Sequence, residues 1–276
     1  MMVKKVLLLT VVSLIAKSGL SFAIRLPLTV PVEAIIETQE SCAQPSGKMA
    51  QTCRELEQRI LAATVRIELQ GWTVADDESG YDIDYTVGHA TVRDGRYLIT
   101  HNHFRIPLSI RLQEGTSEVY TMVTLSDSSG QTLFKGPISD FEIAWEDPET
   151  LVFAYKDEEL FQDANIVSAE VSDWSSIPLK VGMEVAQVDW DGATTRVDWT
   201  TVQEVDVEDG VPRLVLADGV TLGASGGGIF WQGIHIANNW LSVQYYGNSG
   251  TLTDTTTKVA LNSTPVSGKL SQGLNS

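Results

Sequence analysis

The sequence predicts an all-β fold, of barrel or sandwich type, behind a short helical leader. Three observations predict it. From Thr64 onward, short runs of alternating or β-branched residues recur, the pattern of strands with one or both faces buried. Asp-Gly, Ser-Gly and Asn-Ser-Gly breaks separate those runs, and such residues supply tight turns. Only one stretch of the chain, Met49 to Ala63, places its apolar residues Leu56, Ile60 and Leu61 at helical spacing, with charged residues on the other face.

Taken in order, Met1 to Lys5 form a short basic region and Val6 to Ala16 an apolar run. Small residues at Ser21 and Ala23 then complete the pattern of an export signal (residues 1–23) cleaved after Ala23. Lys17 ends the apolar run well short of the roughly 20 residues that a membrane span needs. Residues 24–60 read as a leader or linker that includes the helix. They carry the two cysteines, Cys42 and Cys53, which an exported chain would meet in oxidising surroundings. A local disulfide and a pair of free thiols both fit the sequence. Residues 61–265 form the folded domain, and 266–276 a tail.

The expected strands are Thr64–Leu69, Val87–Val92, Tyr97–Thr100, Glu118–Leu125 and Leu151–Tyr155, then Met183–Val188, Thr194–Val205, Arg213–Leu216, Gly228–Trp231 and Ile234–Ala237. Val188 to Ala193 and Val205 to Gly210 read as hairpin turns. Two barrels side by side would fit the length, but periodicity does not choose between barrels and a sandwich.

The formal net charge of the 276 residues is −17. Removing the three lysines of the signal from the 19 basic residues leaves 16 against 36 acidic ones, a net charge of about −20. Like charge argues against nucleic acid and anionic membrane surfaces as partners, and the acidic balance favours solubility. The expected location is secreted or periplasmic.

Chemistry concentrates in two segments. In the first, Gly223-Ala224-Ser225-Gly226-Gly227-Gly228 precedes the apolar run Ile229-Phe230-Trp231. A serine hydroxyl attacks only when a base takes its proton and donors stabilise the oxyanion it creates. Glycines around it permit the tight turn that aims backbone N–H groups at that oxygen. The spacing also fits a strand–serine–helix elbow, but glycines and an apolar β-like run follow Ser225 where that elbow needs a helix. In the second segment, the apolar run Tyr97-Leu98-Ile99-Thr100 ends in His101-Asn102-His103-Phe104. His101 and His103 could be metal ligands, but the chain has four histidines and no flanking ligand motif. No metal or organic cofactor is expected.

Together these segments resemble the chymotrypsin-like (trypsin-like) serine peptidase family, in its bacterial Deg-type branch. Gly88 to His103 is similar to the strand–turn–strand that leads into the catalytic histidine, and Gly223 to Ile234 to the serine loop and the hairpin behind it. The resemblance covers residues 62 to 262 and implies a double β-barrel with endopeptidase activity in the cleft between barrels. It implies His103 as base, Ser225 as nucleophile, and Gly223 and Ser225 as oxyanion donors, with the Ala224 amide nearby. It also implies Gly219 at the base of a specificity pocket, beside Asp218, and Ile236, Ala237 and Asn238 along a substrate-binding edge. The family's aspartate is replaced. Glu149 stands at the matching place in Asp147-Pro148-Glu149, with Asp147 as the other acid within reach. His89 and His235 read as structural strand residues.

The reaction so implied is hydrolysis of a protein or peptide substrate through an acyl-enzyme, with His103 shuttling the proton and Glu149 holding its imidazole. Ala224 precedes the serine where digestive relatives carry an aspartate, so activation by pairing with a new N-terminus is not expected. The alternative reading is a catalytically inactive member of the fold that serves as a secreted binding protein, and the glutamate is the residue that favours it.

Overall fold

Along β2 (Thr64–Ala75), Val65, Ile67 and Leu69 are buried, Arg66 and Glu68 are half-buried and Gln70 is exposed. That two-residue alternation turns one face of a sheet onto a core. The computed structural model describes residues 5–7, 41–75, 81–104, 116–156, 161, 166–173, 176–208, 211–246 and 252–261. In it β2 pairs antiparallel with β3 (Tyr81–Arg93) and with β5 (Thr116–Ser126). The first sheet has seven strands, in the order β6 (Thr132–Pro137), β5, β2, β3, β4 (Tyr97–His101), β8 (Thr150–Tyr155), β7 (Phe141–Glu146).

The continuous apolar runs of β4 and β8 follow from burial on both faces. Leu98, Leu151 and Phe153 point into the first core with Ile67 and Leu125. Tyr97, Ile99, Val152 and Ala154 point the other way and pack with Trp145 and Val171.

The second sheet closes on itself. Its ring runs β10 (Glu184–Trp190), β11 (Thr195–Glu208), β12 (Val211–Leu216), β15 (Leu252–Leu261), β14 (Ile234–Tyr246), β13 (Gly228–Trp231) and back to β10. Pairing runs all the way round the ring, although β14 extends past its pairing with β13, and Val185, Val202, Leu214, Leu216, Ile229 and Ile236 fill it. Two short strands add to β14. They are β9 (Glu170–Val171), parallel at Ile234–His235, and β1 (Lys5–Leu7), antiparallel at Gln244–Tyr246. Two curled antiparallel sheets, one of them a closed ring, make the chymotrypsin-like double β-barrel that the resemblance implied.

The expected helix is present as α1 (Gly47–Ala62). Its Ile60, 2% exposed, packs with Val188 and Phe230, and Trp199 Nε1 donates to Glu57 at 2.7 Å. A disulfide joins Cys42 to Cys53, with Cα atoms 5.6 Å apart. The chain before the helix is tied to the second barrel, because the Cys42 and Ala43 backbone N–H groups both donate to the Glu184 carboxylate. Removing a disulfide across so short a loop should cost about 2–3 kcal/mol. A Cys42→Ser/Cys53→Ser double variant is therefore expected to show a lower urea midpoint. An unchanged midpoint would contradict this.

All ten expected strands are present. Apart from Lys5–Leu7, the expected export signal lies outside the described residues, as do residues 24–40 of the leader and the tail. Among the described residues no helix is long and apolar enough to cross a membrane.

Candidate active site

Two turns meet where the barrels face each other, and a shared seat on β3 fixes both. The first turn follows β4. Asn102 to Phe104 form one 3-10 turn, held by the Asn102 N–H donating to the Glu149 carbonyl at 2.9 Å and by the Asn102 side chain donating to the Asp147 carbonyl. Phe104, fully buried, closes it against Gly88. The second turn is Gly223–Gly228. The Ser225 carbonyl accepts the His89 N–H at 2.8 Å, and the Gly226 N–H donates to the Asn239 carbonyl at 2.9 Å. A Cβ on Gly88 would collide with both the Ser225 carbonyl oxygen and the Phe104 ring. Glycine there lets the histidine turn and the serine turn share one seat.

The serine turn is locked from below. Asn239, 1% exposed, donates to the Val188 carbonyl at 2.7 Å and the Ala224 carbonyl at 3.2 Å, and accepts from Gln187 at 2.9 Å. Asp189, buried, accepts the Thr221 N–H at 2.9 Å and pairs with Arg196 at 2.7 Å. Gly223 has φ +101° and would press a Cβ to 3.0 Å from Trp190. The N–H groups of Ala224, Gly226 and Gly227 are spent on Thr221, Asn239 and Ala224 carbonyls. Those of Gly223 and Ser225 make no hydrogen bond among the described residues.

Glu149, 7% exposed, places its carboxylate between His101 Nε2, at 3.5 Å, and the Arg213 guanidinium. Burial alone would raise its pKa. The hydrogen bonds from His101 and Arg213, with the charge of the guanidinium, outweigh that and hold the carboxyl below its usual value. Asp147 does a different job at this turn. Its Oδ1 accepts the N–H groups of Glu149 at 2.9 Å and Thr150 at 2.7 Å, a side-chain cap that shapes the turn into β8.

His103 does not meet the carboxylate directly. Its Nδ1 lies 2.8 Å from Nδ1 of His101, and its backbone N–H donates to that same atom at 3.1 Å. The sequence reading had Glu149 hold the His103 imidazole, whereas here the buried His101 stands between them. Trp240 stacks on His101 with ring centroids 6.1 Å apart, and the Arg213 guanidinium lies 4.1 Å over Trp240. Among the described residues no hydrogen bond joins His103 to Ser225.

The substrate edge expected at Ile236, Ala237 and Asn238 falls within β14, where Ala237 and Asn238 pair with β13 on one side and β15 on the other. Ile236 and Asn238 are fully buried, and Asn238 faces His235 at 3.1 Å. Gly219 lies in the turn after β12. Asp218 beside it is exposed, its N–H 3.3 Å from Thr200 Oγ1. His89 is buried against Thr195 at 2.9 Å.

Burial lowers every histidine pKa: His89 and His235 to about 4, His103 to about 3, and His101 in the same direction. All four are therefore neutral at neutral pH. The unfolded chain takes up protons below about pH 6.5, while the folded one resists until about 4 or lower, so stability falls as pH falls through that window. Each fully buried histidine removes up to about 1.4 kcal/mol per pH unit there. A Tm lower at pH 5 than at pH 7.5 is expected, and equal Tm values would contradict it.

Sequence reasoning missed Arg213, Asn239 and Trp240, and treated His101 only as a possible metal ligand. Among the described residues no group of three or more His, Cys, Asp or Glu is placed to hold a metal ion.

No family model matches this chain, and no curated protein sequence matches it. Solved structures similar to it include Deg5, at 16% identity over 71% of this chain and 87% of that one, with a TM-score of 0.48. The Rv3671c protease of M. tuberculosis in its active form is similar at 14% identity, covering 88% and 92%, with a TM-score of 0.48. An inactive serine-to-alanine mutant of Rv3671c matches at 12% identity, covering 79% and 89%, with a TM-score of 0.47.

Proposed function

We propose that this chain is an exported serine endopeptidase, hydrolysing peptide bonds through an acyl-enzyme on Ser225. The observation that carries the reading is the common seat on β3. The turn bearing His103 and the turn bearing Ser225 both close on Gly88, one from each barrel. In this reading His103 Nε2 takes the Ser225 proton as Oγ attacks the peptide carbonyl. The Gly223 and Ser225 N–H groups receive the oxyanion, His103 returns the proton to the leaving amine, and water repeats the cycle. The N–H groups of those two residues, which make no hydrogen bond among the described residues, support the oxyanion assignment.

The test is cleavage of a reduced, alkylated protein substrate by the mature chain beside Ser225→Ala. Fragments from the parent chain and a loss of at least about 10³-fold in the variant are expected, given what a nucleophile contributes. Undiminished cleavage by Ser225→Ala would overturn the reading.

A second reading, an inactive fold serving as a secreted binding protein, is favoured by one observation: Glu149 reaches His101 and not His103. A folded, monodisperse chain that cleaves nothing would support it.

A further inference from the structure

We infer that His101 is a positioning residue through which Glu149 sets the tautomer of His103, so that the acid and base of this site are joined by a second imidazole. The inference rests on the peptidase reading of Ser225 and His103, and deepens it.

The argument is one of donors and acceptors. A backbone N–H can only donate, and that of His103 points at His101 Nδ1 at 3.1 Å. That nitrogen must therefore present its lone pair, which puts the His101 proton on Nε2. Nε2 faces the Glu149 carboxylate at 3.5 Å, where an N–H is the group wanted. The His103 Nδ1 contact, at 2.8 Å, then has an acceptor on the His101 side. So His103 carries its proton on Nδ1 and leaves Nε2 bare, the form a general base needs. When His103 takes the Ser225 proton on Nε2, its Nδ1–H stays bonded to His101, and no proton passes between the rings. Glu149 acts by polarising His101. His101 is 2% exposed and stacked on Trp240, so its ring is held in the one orientation that serves both neighbours.

Arg213 makes the device testable with an isosteric change. In Glu149→Gln, the amide oxygen must face the Arg213 guanidinium, which only donates, and the NH₂ then faces His101 Nε2. Two donors cannot meet there, so the His101 proton is driven to Nδ1 and the His103 contact is broken. The experiment has two parts on the full mature chain. Long-range ¹H–¹⁵N spectra at pH 7.5, assigned with His101→Gln, should show His101 protonated on Nε2 and His103 on Nδ1. Fluorophosphonate labelling of Glu149→Gln should be slower by roughly 10²- to 10⁴-fold, the effect of a wrong tautomer at such a site, with His101 switched to Nδ1–H. His101→Gln, whose amide can both accept from His103 and donate to Glu149, should label faster than His101→Ala.

A parent chain with His101 protonated on Nδ1, or Glu149→Gln labelling at the parent rate, overturns the relay while leaving the peptidase standing. A parent chain that never labels overturns the peptidase reading, while the spectra still decide the tautomers.

Discussion

Replacing His103 with alanine should slow fluorophosphonate acylation of Ser225 by roughly 10²- to 10⁴-fold, the range that a positioned general base supplies. The fold should survive, because the ring is half-buried on a one-turn segment. What anchors that segment is Phe104 and Asn102, not the imidazole. Urea unfolding of His103→Ala should therefore give a midpoint close to the parent's while labelling collapses. A variant that labels at the parent rate would remove His103 from the mechanism and return attention to His101, the imidazole that faces Glu149.

Gly226→Ala should do the reverse, damaging the fold and the site together. Gly226 has φ +74°, where a side chain is strained. A Cβ there would also collide with Thr100 Oγ1 and approach the His89 carbonyl to 2.5 Å. Neither neighbour can yield cheaply, since Thr100 Oγ1 already donates to that His89 carbonyl at 2.7 Å inside the wall between barrels. Backbone strain and overpacking, each about 1–3 kcal/mol, combine to about 2–6 kcal/mol. The expected result is a large drop in Tm together with lost labelling. A variant with parent Tm would mean that the serine turn is not seated against β3 and β4 as described.

The strands that line the cores were legible because burial writes itself into composition. Val65, Ile67 and Leu69 alternate, and Tyr97 to Thr100 run unbroken, for the one-faced and two-faced reasons above. What stayed hidden carried no such signature. Thr132–Pro137 ends in Gly136 and Pro137, which read as breakers. Leu252–Leu261 carries threonine at four of its ten positions, with an aspartate and a lysine among them, so it showed no clear apolar pattern. With that strand the barrel closes.

In the candidate site, Ser225 and His103 stood out because glycine clusters and a histidine after an apolar run are locally unusual. Arg213 and Trp240 are ordinary strand residues in sequence. Only the barrel closure brings them from β12 and β14 to Glu149 and His101. Asn239 was equally silent, since its importance lies in three hydrogen bonds to residues far along the chain.

The most direct measurement is mass mapping of the mature chain after reaction with a fluorophosphonate. An activated serine predicts one adduct, on the peptide carrying Ser225, that is absent from Ser225→Ala and strongly reduced in His103→Ala. A folded chain that takes no adduct, or takes it on another residue, would contradict the account.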